Sequence, residues 1–87
     1  MGTDNQQYFT YVIKSKEGLH YTGMTEDLDL RLKQHNDKSL SFWTKRGSEW
    51  KLIFSKTFNS KREALAFEKW LKSGVGRDFL KKNIENY

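Results

Sequence analysis

The chain contains no cysteine, which excludes a disulfide framework and any thiolate metal site and suits a reducing cytoplasm. It has no apolar run near the ~20 residues that a membrane-spanning helix needs. Its polar start, MGTDNQQ, has none of the features of a signal peptide. No repeat, linker or low-complexity stretch divides it. The expectation is a cytoplasmic protein with no membrane association. Its 87 residues leave room for one domain, since domains of ~100–150 residues are the common size. Residues 1–7 read as a frayed tail and 8–87 as the domain.

What is present is aromatic and basic. Aromatic residues make up 15% of the chain, and each buries more area than an aliphatic one, which helps a short chain build a core. Sixteen Lys and Arg stand against eleven acids, a net charge of +5. That surplus favours a polyanionic partner, with counterion release supplying affinity.

YFTYVIKS (8–15) is rich in β-branched and aromatic residues and reads as a strand. SKEG (15–18) is a turn, and LHYTGM (19–24) is the returning strand of a hairpin. Thr25 is an N-cap candidate, with Glu26 and Asp27 in the first turn of a helix reaching about Asn36. DKSLSFWTKRGSE (37–49) reads as a long loop and WKLIFSKTF (50–58) as a third strand. Ser60 and Glu63 form a capping box for a helix ending near Ser73, with Gly74 as its C-terminal stop. A last helix covers Arg77–Ile84. The order β-β-α-β-α-α predicts an α+β domain, a small three-stranded antiparallel sheet flanked by helices.

Three polar residues fall where the core should be. At 100° per residue, Leu28, Leu32 and His35 share one stripe of the first helix, with Arg31 at its border. Arg31 could snorkel along the sheet edge while His35 caps the helix end. On the next helix, Ala64, Leu65, Phe67 and Leu71 define a buried arc that also contains Glu68. A carboxylate there needs a partner: a salt bridge to Arg31, or a hard cation such as Mg²⁺, which one or two carboxylates plus waters and phosphate oxygens can hold. Phe9, Tyr11 and Ile13 share a strand face, and Tyr21 alternates with His20 and Thr22. Gly23, late in its strand, marks a bulge or a close backbone approach.

These residues resemble the GIY-YIG nuclease superfamily, and within it small bacterial proteins similar to the N-terminal domain of the excision-repair nuclease. Phe9-Thr10-Tyr11 stands at the first signature and Tyr21-Thr22-Gly23 at the second. Arg31 and His35 match the R-x-x-x-H helix, and EALAFEKWLKSGVGRDFLKK (63–82) matches the helix with the metal-binding glutamate, Glu68. Phe9 and Thr10 replace Gly-Ile, and Thr22 replaces the Ile of the second signature. Asn83 is the nearest match to the family's late asparagine.

The resemblance implies a divalent-metal-dependent endonuclease cutting DNA, with RNA not excluded, in repair or recombination. Glu68 would ligate Mg²⁺ or Mn²⁺ and Arg31 would clamp the phosphate. Tyr11 would hold or deprotonate the attacking water, with Tyr21 and His35 completing the network and Gly23 shaping the turn; His20 falls on the other strand face, outside the site. Lys45, Arg46, Lys81 and Lys82 would hold nucleic acid, Lys45 and Arg46 beside Phe42 and Trp43. Trp43 could instead pin the loop to the core, and Lys81 and Lys82 could complement a helix C-terminus. The alternatives are a nucleic-acid-binding module with weak or lost catalysis, and a basic protein-interaction domain with a structural Arg31–Glu68 pair. Family nucleases usually take specificity from an attached domain, so targeting here falls to the small domain, self-association or a protein partner.

Overall fold

A computed structural model describes residues 6–37 and 46–87. The elements follow the expected order: β1 (Tyr8–Lys14), β2 (His20–Thr25), α1 (Leu28–Asn36), β3 (Lys51–Phe58), α2 (Lys61–Leu71) and α3 (Gly74–Asn83). The three strands form an antiparallel sheet ordered β2-β1-β3. β1 is thus the central strand, and Tyr11, Val12 and Ile13 in it are almost wholly buried.

Alternation along β1 sends Tyr11 and Ile13 to one face and Val12 to the other. On the first face Tyr11, Ile13 and Trp50 form a cluster that Tyr21, Leu28 and Leu32 cover, so this face receives α1. On the second, Val12, Leu71 and Leu80 are surrounded by Ile53, Phe54, Phe67 and Phe79, among others. This second cluster is dry and aromatic, and it docks α2 and α3. Burying one such leucine is worth about 2 kcal/mol.

Several helix boundaries differ from the sequence reading. Thr25 ends β2, and its hydroxyl accepts from the Asp27 amide at 3.1 Å in a local turn. Asp27 is the N-cap, accepting from the Leu30 amide at 3.1 Å. Both residues are good caps, and the hydroxyl turn delays the helix by two positions. Ser60 caps α2 as expected, accepting from the Glu63 amide at 3.1 Å. Gly74, however, stops nothing. α2 ends at Leu71, Ser73 caps a new helix, and Gly74 is its first residue. The essential glycine is Gly76, where an added Cβ would run into the Trp70 carbonyl and the Leu71 Cα. Its missing side chain lets α3 pack closely on the end of α2.

Asn36, the last residue of α1, fixes that end of the helix. Its side-chain amide donates to the Trp50 carbonyl at 3.1 Å, and its side-chain oxygen accepts from the Trp50 amide at 2.7 Å. The two bonds satisfy the backbone of a buried tryptophan just before β3.

Candidate active site

The face that receives α1 carries the polar residues. The register pairs Tyr11 with Gly23 and Ile13 with Tyr21, so both tyrosines stand on one side of the hairpin. A Cβ at position 23 would lie 2.7 Å from the Tyr11 hydroxyl and 3.0 Å from Tyr21 Cε2. Gly23 is therefore a slot that lets the Tyr11 ring lean across β2. The glycine signal in the sequence meant a close approach rather than a bulge.

α1 supplies the other side. His35 is 2% exposed, and its Nε2 lies 2.7 Å from the Tyr11 hydroxyl. Its ring also packs against Tyr21, with centroids 4.7 Å apart. Arg31, one turn earlier, donates from Nε to the Tyr11 oxygen at 3.4 Å and from Nη1 to Gln34 Oε1 at 3.1 Å. Spacing of four on the helix thus places a cation and an imidazole on one phenol. Arg31 neither floats along the sheet edge nor pairs with Glu68, and His35 is held by Tyr11 rather than spent as a helix cap.

Burial sets the protonation states. Desolvation, followed by the nearby Arg31 charge, pushes the His35 imidazole down to about 4. It is neutral at pH 7, and in the tautomer that carries its proton on Nδ1 the Nε2 accepts from the Tyr11 hydroxyl. Desolvation pushes the Tyr11 phenol up to about 12, against the lowering effect of its bond with Arg31. At neutral pH Tyr11 is protonated, and with Arg31 donating to its oxygen, the Nδ1–H tautomer of His35 lets the phenol donate to Nε2.

Glu68 lies apart from this hydrogen-bonded group. Its charge nonetheless contributes to raising the Tyr11 phenol, which places it within electrostatic reach. Its ion-pair partner is Lys72, one turn on, at 2.8 Å, in place of the Arg31 pairing considered from sequence. The Glu68 side chain is 19% exposed and that of Lys72 is 54% exposed. Leu65, placed on the buried arc by periodicity, is exposed instead. Among the described residues no group of three His, Cys, Asp or Glu could cage a metal. One partly exposed carboxylate still fits a hard divalent cation whose other ligands are water and substrate phosphate.

The remaining candidates are dispersed. Arg46 is exposed, and Lys45, Phe42 and Trp43 lie outside the described residues. Among the described residues, the tryptophan in the α1-side core is Trp50. Lys81 and Lys82 are exposed in the last turn of α3, where they complement the helix C-terminus. Asn83 spends its side-chain amide on the Phe79 carbonyl one turn back, at 2.8 Å. His20 stays out of the tyrosine cluster, as its strand face requires, and stacks on Tyr87 at 3.9 Å. Gln34 and Lys72, which tether Arg31 and Glu68, were not singled out from sequence. Both lie three or four residues from their partners, and that spacing could have marked them.

Together these features define an α+β domain with a tyrosine–histidine–arginine cluster on one face of its sheet. The chain belongs to the GIY-YIG family of nucleases: the profile of the GIY-YIG catalytic domain matches residues 7–83. It is 42% identical over 72 residues to the UPF0213 protein YazA of Bacillus subtilis, a match covering 83% of this chain and 71% of that protein. Identity with the UPF0213 protein YsiG of Lactococcus lactis is 38% over 71 residues, covering 82% of this chain and 68% of that one. The solution NMR structure of the UPF0213 protein BH0048 from Bacillus halodurans superposes with a TM-score of 0.53 at 29% identity, covering 87% of this chain and 83% of that chain. Among the described residues no helix is long and apolar enough to cross a membrane.

Proposed function

We propose that the protein is a divalent-metal-dependent endonuclease that hydrolyses phosphodiester bonds in DNA, in the service of repair or recombination. The observation that carries this reading is the arrangement around Tyr11, whose phenol oxygen lies between the Arg31 guanidinium and a neutral His35 imidazole. Membership in a nuclease family supports it.

A water attacking phosphorus must lose a proton as its oxygen bonds. The Tyr11 oxygen can accept that proton while the phenolic proton passes to His35 Nε2, 2.7 Å away. This relay avoids a free phenolate, which a phenol held near 12 forms only rarely at neutral pH. Arg31 keeps its charge throughout and stabilises the phosphate as negative charge builds on it. Tyr21 packs against His35 and holds its ring in place. Glu68 is the residue that would hold Mg²⁺ or Mn²⁺, which when bound supplies positive charge for the phosphate and the leaving oxygen.

The test is incubation with supercoiled plasmid, branched DNA, single-stranded DNA and RNA in Mg²⁺ or Mn²⁺. Metal-dependent cutting should fall at least about a hundredfold in Glu68→Ala and in Arg31→Ala, with circular dichroism unchanged. Binding without cutting, indifferent to Glu68→Ala, would instead make the protein a nucleic-acid-binding module.

A further inference from the structure

At the β2 edge of the sheet, on the side of α2 and α3, lies an open cleft of about 580 Å³ that the relay does not use. Tyr21 borders it along with its strand neighbours His20 and Thr22, which face away from the tyrosine cluster. Lys72 and Arg77 line it from the helical side, and His20 and Tyr87 close its far end. The end wall is built. The His20 and Tyr87 rings stack at 3.9 Å and 22°, and His20 Nε2 lies 2.6 Å from the Tyr87 backbone oxygen. Lys14 Nζ donates to the Asn86 carbonyl at 2.6 Å, holding the preceding residue.

Among the described residues the lining contains two cationic side chains and no acidic side chain. Among the described residues Arg77 has no ion-pair partner, whereas Lys72 has Glu68. That bond spans one exposed helical turn, and such pairs are weak ties. It also places an ammonium on the carboxylate that the proposed function assigns to a divalent cation. Two cationic species cannot both sit closely on one carboxylate without strong mutual repulsion. Lys72 is the more exposed partner and has four rotatable bonds, so it is the one that leaves. Lys72 already lines the cleft.

We propose that this cleft binds a phosphate of the substrate strand neighbouring the scissile one, held by Lys72 and Arg77. Lys72 is an exchangeable cation: it neutralises Glu68 when no metal is bound and turns to the neighbouring phosphate when a divalent ion takes the carboxylate. Metal binding and strand binding are therefore linked through one lysine. The proposal rests on the assignment of Glu68 as the metal ligand, and its test reads binding rather than cutting.

Mn²⁺ is titrated by water-proton relaxation in the absence of nucleic acid. Lys72→Met should bind Mn²⁺ several-fold more tightly than wild type, because the competitor for Glu68 is gone, while Arg77→Ala should match wild type. Binding of a short fluorescent phosphorothioate oligonucleotide is then followed by anisotropy across a salt series in Mn²⁺. Lys72→Met and Arg77→Ala should each weaken it about tenfold and lower the salt slope by about one, against less than about twofold for Lys33→Ala on the outer face of α1. All three side chains are exposed, so the fold should survive each change, and thermal melts check this. Unchanged or weaker Mn²⁺ binding in Lys72→Met overturns the exchange, and an Arg77→Ala effect no larger than that of Lys33→Ala overturns the subsite. A protein that shows both binding effects but cuts nothing keeps this linkage and loses the nuclease reading. Mn²⁺ binding that persists in Glu68→Gln removes the basis of both.

Discussion

The two faces of the sheet are built by different rules. The face under α2 and α3 is held by apolar contact, with Val12, Leu71 and Leu80 sealed beneath aromatic rings. The face under α1 has its own small apolar cluster, but directional bonds fasten α1: Asn36 to Trp50, His35 to Tyr11, Arg31 to Tyr11. One face supplies stability that tolerates most conditions. The other holds polar groups in fixed positions, and its bonds depend on protonation and on single atoms. A domain this small can afford a polar face because the opposite side keeps it folded.

That division can be broken from either side. Leu80→Ala on the dry face should cost about 4 kcal/mol of stability, read by denaturant unfolding. Cutting by the folded fraction should stay close to wild type. Equal losses in both would show that the faces are not separable.

Acid should act on the other face. His35 is held down to about 4 from an ordinary 6.5, so between these pH values the unfolded chain binds more protons. Stability from this group is complete above about pH 6.5 and is lost as pH falls toward 4, by up to about 3 kcal/mol. Unfolding of wild type and His35→Gln across this range checks it, and the variant should lose most of the slope. An equally steep curve in His35→Gln would move the effect elsewhere.

Asn36→Ala should cost about 2 kcal/mol, because it removes two hydrogen bonds to the backbone of a buried tryptophan, and it should lower cutting as α1 loosens. A stability loss without an activity loss would mean that the anchor serves folding alone. The smallest change falls on a polar contact buried on the dry side, where the Thr10 hydroxyl donates to the Ala64 carbonyl at 2.6 Å. Thr10→Val should cost about 1 kcal/mol with cutting unaltered, as calorimetry and plasmid assay would show.

Much of this arrangement was legible in the chain because it follows from periodicity. A period of two places Tyr11 and Ile13 together, and a period of 3.6 places Leu28, Leu32 and His35 together. Once the sheet order is set, those faces can only meet. The capping box at Ser60 was equally readable, since its hydrogen bond is local. What stayed hidden depended on choices between similar local options or on distant partners. Thr25 and Asp27 are both good caps, and only the hydroxyl turn decides between them. Gly74 and Gly76 look alike in sequence, but one has open space around it and the other lies against the end of α2. In sequence Glu68 needs Arg31 or a metal ion, and the exposed Lys72 one turn along pairs with it instead. His20 looked idle because its companion, Tyr87, lies 67 positions further along.

The far wall of the cleft has a consequence for cooperativity. Its two polar ties join residues separated by 67 and 72 positions, so they close longer stretches of chain than any hairpin or helix contact, at a larger entropic cost. They are also exposed, so little desolvation opposes their opening. Anything that settles between the helices and this wall staples the end of the first hairpin to the last residues of the chain. By mass action, occupancy of a surface cleft then raises the stability of the whole fold. A strand lying in the cleft would act as a temporary structural element of the fold that holds it.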